Sequence, residues 1–276
     1  MITSFIELKN VSFSYPQAKN LFENISLTFN LDEYVAIIGR NGVGKTTLAK
    51  LIIGILRPNS GEVLINDQLT KDKSIADIAQ VIGFVYQNPN QMLFTQSVEK
   101  ELELSIMKMK LSKKEKNKRI NKTLEFFNMH HLKKIHPRNL SRGEKQKLAL
   151  ATVLIQEPFG IILDEPFSGI DATQQLQILN YISKLKAQGK LVIIITHNLD
   201  LVLENCDRII SMDNGKIIHD LPTLNFFSKE ENFKKIDLEK TGYLNMIYSL
   251  HKNGLSKNIL KKRDLVNFFV NKFSDF

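Results

Sequence analysis

A glycine-rich loop near the start of the chain has the residue types needed to hold a row of phosphates. It reads Gly39, Arg40, Asn41, Gly42, Val43, Gly44, Lys45 and Thr46, which is the P-loop pattern G-x-x-x-x-G-K-[ST]. Glycines let the backbone bend so that successive N–H groups face phosphate oxygens, and a helix that begins there adds its positive dipole end. Lys45 supplies a cation, and the Thr46 hydroxyl suits Mg²⁺. With the adjoining Thr47, the loop predicts a site for a nucleoside triphosphate and Mg²⁺.

Two adjacent acids, Asp164 and Glu165, follow the apolar residues 161–163. At the end of a buried strand, Asp164 is suited to hold Mg²⁺, usually through water. Glu165 is then the natural general base, which orients and deprotonates an attacking water. Acids often end strands, so the pair carries weight only together with the loop. The combination predicts hydrolysis of the bound triphosphate.

Apolar patterning predicts the strands and helices that must position these residues. Four apolar runs predict strands, at residues 34–38, 81–86, 159–163 and 191–195. Alternating apolar residues predict two half-buried strands, at residues 6–15 and 25–29. Helices are predicted at residues 46–53 and 173–188, residues 97–140 are helical and strongly charged, and Asn214-Gly215 predicts a hairpin. The predicted fold class is α/β.

A third segment, residues 140–146, reads L-S-R-G-E-K-Q and resembles the L-S-G-G-Q signature of ABC-type ATPases. Other marks of that family occur in the same order along the chain. Tyr15 resembles the aromatic residue that stacks on adenine, Gln87 the Q-loop glutamine, residues 168–171 the D-loop, and His197 the switch histidine. The resemblance covers roughly residues 5–220. It implies an ABC nucleotide-binding domain with an N-terminal antiparallel β subdomain and a helical subdomain.

The same resemblance implies an ATP hydrolase that uses ATP and Mg²⁺. Gln87 and His197 would take part in catalysis beside Glu165, and Gln87 would also help to hold the metal. Ser141 and Glu144 form an S-x-x-E capping box, so the helix that begins there presents free N–H groups. In the family, the helix end around Ser141, Gly143 and Glu144 contacts the γ-phosphate bound by a second ATPase subunit, which is either identical or paralogous.

Arg142 and Glu144 depart from the family signature, where glycine and glutamine stand. The arginine removes a glycine that permits close backbone approach, and it adds a cation near phosphate. We expect the site to remain active.

Residues 87–94, Q-N-P-N-Q-M-L-F, and the following S-V-E-K-E-L are similar to the Q-loop of energy-coupling-factor (ECF) transporter ATPases, importers of vitamins and of cobalt or nickel ions. The second glutamine, Gln91, comes one place earlier than in that family. The resemblance implies two further partners, a transmembrane coupling protein and a membrane substrate-binding protein. Residues 92–94 would lie near the groove where the coupling protein docks, or else in the core.

The predicted domains are an ABC ATP-binding domain, residues 1–220, with its helical subdomain at about 92–158, and a small C-terminal helical unit, residues 221–276. ECF ATPases carry a similar appendage, which helps the pair to dimerise. Leu265, Phe268, Phe269 and Phe273 fall on one helical face. That face predicts either dimerisation or packing on the chain's own body.

Composition limits the cellular setting of the 276-residue chain. Its single cysteine, Cys206, excludes an internal disulfide and fits a reducing cytosol. Neither a signal peptide nor an apolar run of membrane-spanning length is recognised, so we expect a peripheral protein at the cytoplasmic face of the cell membrane. The net charge of +9 is concentrated in residues 108–122, which we interpret as a solvated helix face rather than a surface for anionic lipid or nucleic acid.

Three alternatives remain on these residues. The first is the ATPase of another ABC transporter, against which the ECF-like segment and the tail argue. The second is a soluble ABC ATPase that acts on DNA or ribosomes, against which the single P-loop and the short helical insert argue. The third is a kinase-like P-loop enzyme, which would have no use for residues 140–146. No nucleic-acid partner is expected.

Overall fold

Residues 4–17 and 20–273 are described by a computed structural model. Its strands are β1 (Ile6–Phe13), β2 (Phe22–Phe29), β3 (Tyr34–Ile38), β4 (Ser60–Ile65), β5 (Gln68–Leu69), β6 (Ile82–Val85), β7 (Gly160–Asp164), β8 (Leu191–Ile195), β9 (Arg208–Asp213) and β10 (Lys216–Pro222). Its α-helices are α1 (Lys45–Ile52), α2 (Ile75–Val81), α3 (Val98–Ser105), α4 (Lys113–Phe126), α5 (Arg142–Leu154), α6 (Ala172–Ala187), α7 (Leu199–Asn205), α8 (Thr223–Phe227), α9 (Glu231–Lys234), α10 (Gly242–Lys252) and α11 (Lys262–Phe273). The predicted α/β class is confirmed.

The main sheet has six strands in the order β10-β9-β3-β8-β7-β6. All neighbours from β9 to β6 run parallel, and β10 joins as an antiparallel hairpin with β9. Every residue of β3, β7 and β8 is buried, as expected of strands covered on both faces.

A second, antiparallel sheet has the order β2-β1-β4-β5, which confirms the predicted N-terminal β subdomain. The alternating residues of β1 and β2 bury one face and expose the other. Strand β1 ends at Phe13, so Tyr15 lies beyond it. Strands β4 and β5 and helix α2 were not predicted. Their side chains are mostly exposed, so apolar periodicity gives little signal there.

Three helices, α3, α4 and α5, lie between β6 and β7 along the chain. Both α4 and α5 begin with a complete capping box, Ser112 with Glu115 and Ser141 with Glu144. The basic side chains of α4 are mostly exposed, in agreement with a solvated helix face.

Two apolar cores flank the main sheet. Val35 and Ile37 of β3 pack with the N-terminal sheet and α1, whereas Tyr34, Ala36 and Ile38 face a core that includes helices α5, α6 and α7. Buried side chains of α8 to α11, such as Phe226 and Phe233, belong to this second core. The C-terminal segment therefore packs on the chain's own body.

The predicted apolar face of α11 is only partly correct. Leu265 is buried and Phe268 packs against the core, but Phe269 is 38% exposed. The fourth predicted member, the Phe273 side chain, lies outside the described residues.

Candidate active site

Sheet topology brings the predicted chemical residues to one edge of the molecule. The P-loop follows β3, Gln87 follows β6, Glu165 follows β7, and His197 follows β8. These four strands are neighbours in the order β3-β8-β7-β6 and run parallel, so their carboxyl ends meet. That edge is where open α/β sheets bind ligands.

Backbone geometry explains the last glycine of the P-loop. Gly44 has φ +107°, and a Cβ added there would lie 2.7 Å from the ring of Phe22. A side chain at this position would be strained and would also collide with the β subdomain. The loop can therefore turn into α1 only with glycine at position 44.

Lys45 is buried at the start of α1, and its Nζ donates hydrogen bonds to the carbonyl oxygens of Gly39 and Arg40, both at 2.7 Å. Burial lowers the pKa of this amine, and the nearby carboxylates of Glu165 and Asp164 partly oppose that effect. The amine is thus held beside the loop, among oxygen atoms and carboxylates.

Thr46 and Asp164 meet across the site, where the Thr46 hydroxyl donates to Asp164 Oδ2 at 2.6 Å. Burial raises the pKa of Asp164, while the bond from Thr46 acts in the opposite direction. A hydroxyl, a carboxylate and the Gln87 amide oxygen are hard ligands that fit Mg²⁺ together with water. Among the described residues, no group of three or more His, Cys, Asp or Glu side chains is placed so that it could hold a metal ion.

Glu165 has an unusual backbone and well-defined partners. Its φ of +46° is in the left-handed region, which costs a non-glycine residue about 1 kcal/mol or more. Its Oε1 accepts hydrogen bonds from the His197 backbone N–H at 3.0 Å and contacts His197 Nδ1 at 2.8 Å. These contacts with His197 orient the Glu165 carboxylate.

A cavity of about 530 Å³ joins these groups, a size within the range of small-molecule sites. Its walls are Tyr15, Leu21, Asn41, Gly42, Gly44, Lys45, Thr46, Thr47, Gln87, Asp164, Glu165 and Ile195. The Tyr15 hydroxyl lies 3.1 Å from Thr47 Oγ1, which places an aromatic ring beside the P-loop. The residue set fits a nucleotide with one aromatic end and one charged end.

Other predicted residues of the P-loop lie outside the cavity walls. Val43 is buried in the core beneath the loop, and the Arg40 side chain extends to Asp237 of the C-terminal segment. Leu21 lines the cavity but was not predicted, because a single leucine ahead of a strand carries no chemical signal.

The signature residues lie elsewhere, against the segment that follows Glu165. A Cβ on Gly143 would come within 2.3 Å of the Gly169 carbonyl oxygen, so glycine is required for this close approach. Arg142 Nη2 donates to Ser168 Oγ at 2.8 Å. Ser141 Oγ accepts from Glu144 N at 3.3 Å, and the capping bonds lower the pKa of Glu144. Ser141, Gly143 and Glu144 are not among the described residues that line the cavity.

The ABC transporter family model matches residues 22–168. The chain belongs to the ABC transporter family. This ABC ATPase is 36% identical over 237 residues to a protein of Pyrococcus horikoshii that is provisionally named an ABC transporter ATP-binding protein, and the match covers 86% of this chain and 88% of that one.

Two solved structures are similar in fold to this ABC ATPase. The first is cbiO1 from Clostridium perfringens, described as part of the ABC transporter complex cbiONQ. It has a TM-score of 0.71 at 30% identity and covers 89% of this chain and 99% of its own. The second is a dimeric ATP-binding cassette in a post-hydrolysis state with ADP and Pi. Its TM-score is 0.72 at 27% identity, and the match covers 79% of this chain and 98% of that one.

Family membership defines the activity in outline. The chain is the ATP-binding subunit of an ABC transporter, binds ATP with Mg²⁺, hydrolyses ATP and dimerises as ABC ATPases do. Among its described residues, none of the helices has the length and apolar character required to traverse a bilayer.

Proposed function

We propose that this ATPase powers the uptake of a vitamin or a transition-metal ion as a subunit of an ECF-type transporter, at the cytoplasmic face of the membrane. Three features support the proposal: the ECF-like segment 87–102, the additional C-terminal unit, and the similarity to cbiO1, which is part of a multi-subunit transporter complex. The proposed partners are a second ATPase subunit, a transmembrane coupling protein and a membrane substrate-binding protein.

The surface beside the ECF-like segment supports docking of the coupling protein. A cavity of about 270 Å³ is lined mainly by apolar residues, among them Met92, Phe94 and Leu104. Phe94 is 75% exposed and also borders a second groove of about 790 Å³ along α3 and α4. Met92 is half-buried against the core, and a flexible methionine beside the exposed Phe94 suits a joint that must adapt as its partner moves.

A buried acid holds this docking segment in place. Glu101 is 2% exposed, and its Oε1 accepts hydrogen bonds from the backbone N–H groups of Phe94 and Thr95. Glu101 belongs to the S-V-E-K-E stretch that resembles ECF ATPases. The carboxylate holds the backbone at Phe94 and Thr95, which follow Gln87 along the chain. A force that the partner applies to Phe94 is therefore transmitted to the Q-loop.

For catalysis, we propose roles that match the geometry. Tyr15 stacks on adenine, and the backbone N–H groups of the P-loop hold the phosphates together with Lys45. Thr46, Asp164 and Gln87 would hold Mg²⁺, which when bound would neutralise charge on the phosphate oxygens. Glu165 takes a proton from the attacking water, whose oxygen bonds to the γ-phosphorus as the bond to ADP breaks.

The second site component comes from the partner subunit in this proposal. The N-terminal turn of α5, with Ser141, Gly143 and Glu144, does not line the cavity of its own chain. Such a helix end binds phosphate well. In a face-to-face dimer it completes the site that holds the other subunit's ATP, while His197 contacts the γ-phosphate in its own site.

Affinity capture from detergent-solubilised membranes of the source organism tests the transporter assignment. The tagged full-length chain is expected to retain a transmembrane protein together with a small hydrophobic substrate-binding protein, identified by mass spectrometry. Phe94→Glu places a charge in the apolar groove and is expected to lose both proteins while keeping ATPase activity.

Phe159→Glu is the matched control, because Phe159 is 61% exposed and lies just before β7, at the opposite end of the sheet from the site. It should retain both partners. Capture of a transporter without a separate substrate-binding protein would assign the chain to another ABC class.

A further inference from the structure

The C-terminal segment contacts two parts of the same chain next to the nucleotide site: Arg40 of the P-loop, and helix α7, which follows His197. Its aromatic residues Phe226, Phe227 and Phe233 are fully buried and pack in one core with Leu199 and Val202 of α7. Burial of such rings stabilises the packing of the segment on the body. The segment is therefore firmly seated on the helix that follows His197.

Polar contacts fix the same helix. Asp200 Oδ1 accepts a hydrogen bond from the Thr241 hydroxyl at 2.6 Å, and Glu204 Oε1 accepts one from the Lys262 backbone N–H at 2.8 Å. Both carboxylates lie on α7; Thr241 is the N-cap of α10, and Lys262 is the first residue of α11. Helix α7 begins two residues after His197. The contacts with the C-terminal segment therefore support the helix that follows this histidine.

A separate contact reaches the P-loop. Arg40 Nη1 is 2.5 Å from Asp237 Oδ2, which lies between α9 and α10. The Arg40 carbonyl oxygen is one of the two acceptors that hold Lys45 Nζ. A side chain of the P-loop is thus anchored on the segment that also supports α7.

We propose that Asp237 is a positioning residue for ATP binding, which through Arg40 fixes the P-loop relative to the helix behind His197. The proposal rests on the proposed role of the P-loop in holding the phosphates. It gives the C-terminal unit a function within its own chain, beyond any part in dimerisation. Restricting the loop in advance lowers the ordering cost of ATP binding.

Exposure limits the size of the effect. The Arg40 and Asp237 side chains are 59% and 76% exposed, and such ion pairs contribute little and are screened by salt. Loss of the pair is therefore expected to raise the KM for ATP by about two- to fivefold with kcat unchanged.

A double-mutant cycle on the full-length dimer tests the assignment. Asp237→Asn and Arg40→Gln are made singly and together, and the ATPase reaction is followed over a range of MgATP. Asp237→Asn should raise KM in the natural background and have no effect in the Arg40→Gln background. Asp237→Glu should recover part of the loss, and the whole effect should shrink in high salt.

Glu239→Gln is the matched control, since Glu239 is exposed, lies two residues away and loses the same charge. Its KM should remain that of the natural chain. Unchanged KM in Asp237→Asn, or equal effects of that change in both backgrounds, would overturn the positioning role. Failure of the natural chain to bind ATP would instead overturn the proposed function, so the two failures are distinguishable.

Discussion

At the scale of single residues, the site is defined by a few side chains whose partners are specific. Glu165 contacts His197, Thr46 contacts Asp164, and Lys45 is held by two carbonyl oxygens of its own loop. Glu165 and His197 follow the neighbouring strands β7 and β8. Thr46 follows β3 and Asp164 ends β7, and β8 lies between these two strands. Substitutions here are therefore expected to alter catalysis more than stability.

Glu165→Gln is expected to bind ATP but to turn it over about 10²- to 10⁴-fold more slowly, because an amide cannot take the proton from water. Binding of a fluorescent ATP analogue and release of phosphate measure the two properties separately. Glu62→Gln, on the exposed part of β4, should leave both unchanged. Turnover that persists in Glu165→Gln would remove Glu165 from the role of base.

Arg142 and Ser168 are expected to act as a pair, because their side chains are bonded at 2.8 Å. Arg142→Gly and Ser168→Ala should each change turnover by less than about tenfold, and the double variant should match the single variants. Arg138→Gly, an exposed arginine just before the signature, serves as control. A hundredfold gain in Arg142→Gly would mean that the natural signature is degenerate.

At the scale of elements, α4 and α5 make a natural comparison. Both begin with a Ser-x-x-Glu capping box, but only α5 carries the signature residues next to Gly169. In both helices the capping box acts in the same way, by satisfying backbone N–H groups at the start of the helix. The function of the α5 turn can therefore be separated from its stability.

Ser112→Ala and Ser141→Ala are each expected to lower the free energy of unfolding by about 1 kcal/mol, as loss of an N-cap does. Only Ser141→Ala should also reduce ATP turnover and ATP-dependent pairing. Chemical denaturation and phosphate release give the two measurements. Equal loss of turnover in both variants would show that α5 acts only through stability.

The sequence predicted the site elements well, since the P-loop, Asp164 and Glu165 follow buried apolar runs whose positions agree with β3 and β7 to within a residue or so. It failed for β4, β5 and α2, whose exposed side chains carry no clear period. Contacts distant in sequence, such as Arg40 with Asp237, have no local signal at all. The catalytic roles themselves remain predictions.

At the scale of the whole molecule, the ABC ATPase is built to work in a pair. Its own cavity contains the P-loop and Glu165, whereas the signature turn lies beside Gly169 and Ser168. One apolar core joins α7 to the C-terminal helices, so these parts of each subunit pack as one unit. In the dimer that we propose, the signature turn of one subunit meets the cavity of the other.

Glu165→Gln with MgATP is expected to form a stable dimer, because slow turnover keeps both nucleotides bound between the subunits. Light scattering after size-exclusion chromatography reports the mass with ATP and with ADP. Lys45→Ala in the Glu165→Gln background should prevent the shift by removing the phosphate contact. A chain that binds ATP yet remains monomeric would point to a paralogous partner, to be supplied by co-expression.

No side chain separates Gly143 from Gly169, and a Cβ on Gly169 would lie 3.6 Å from Gly143 Cα. Any movement of the signature turn therefore also displaces the segment that follows Glu165. In the dimer that we propose, release of the neighbour's phosphate would therefore also move the residues that follow Glu165. The two ATP molecules of a pair should accordingly be consumed interdependently, each event altering the readiness of the opposite site.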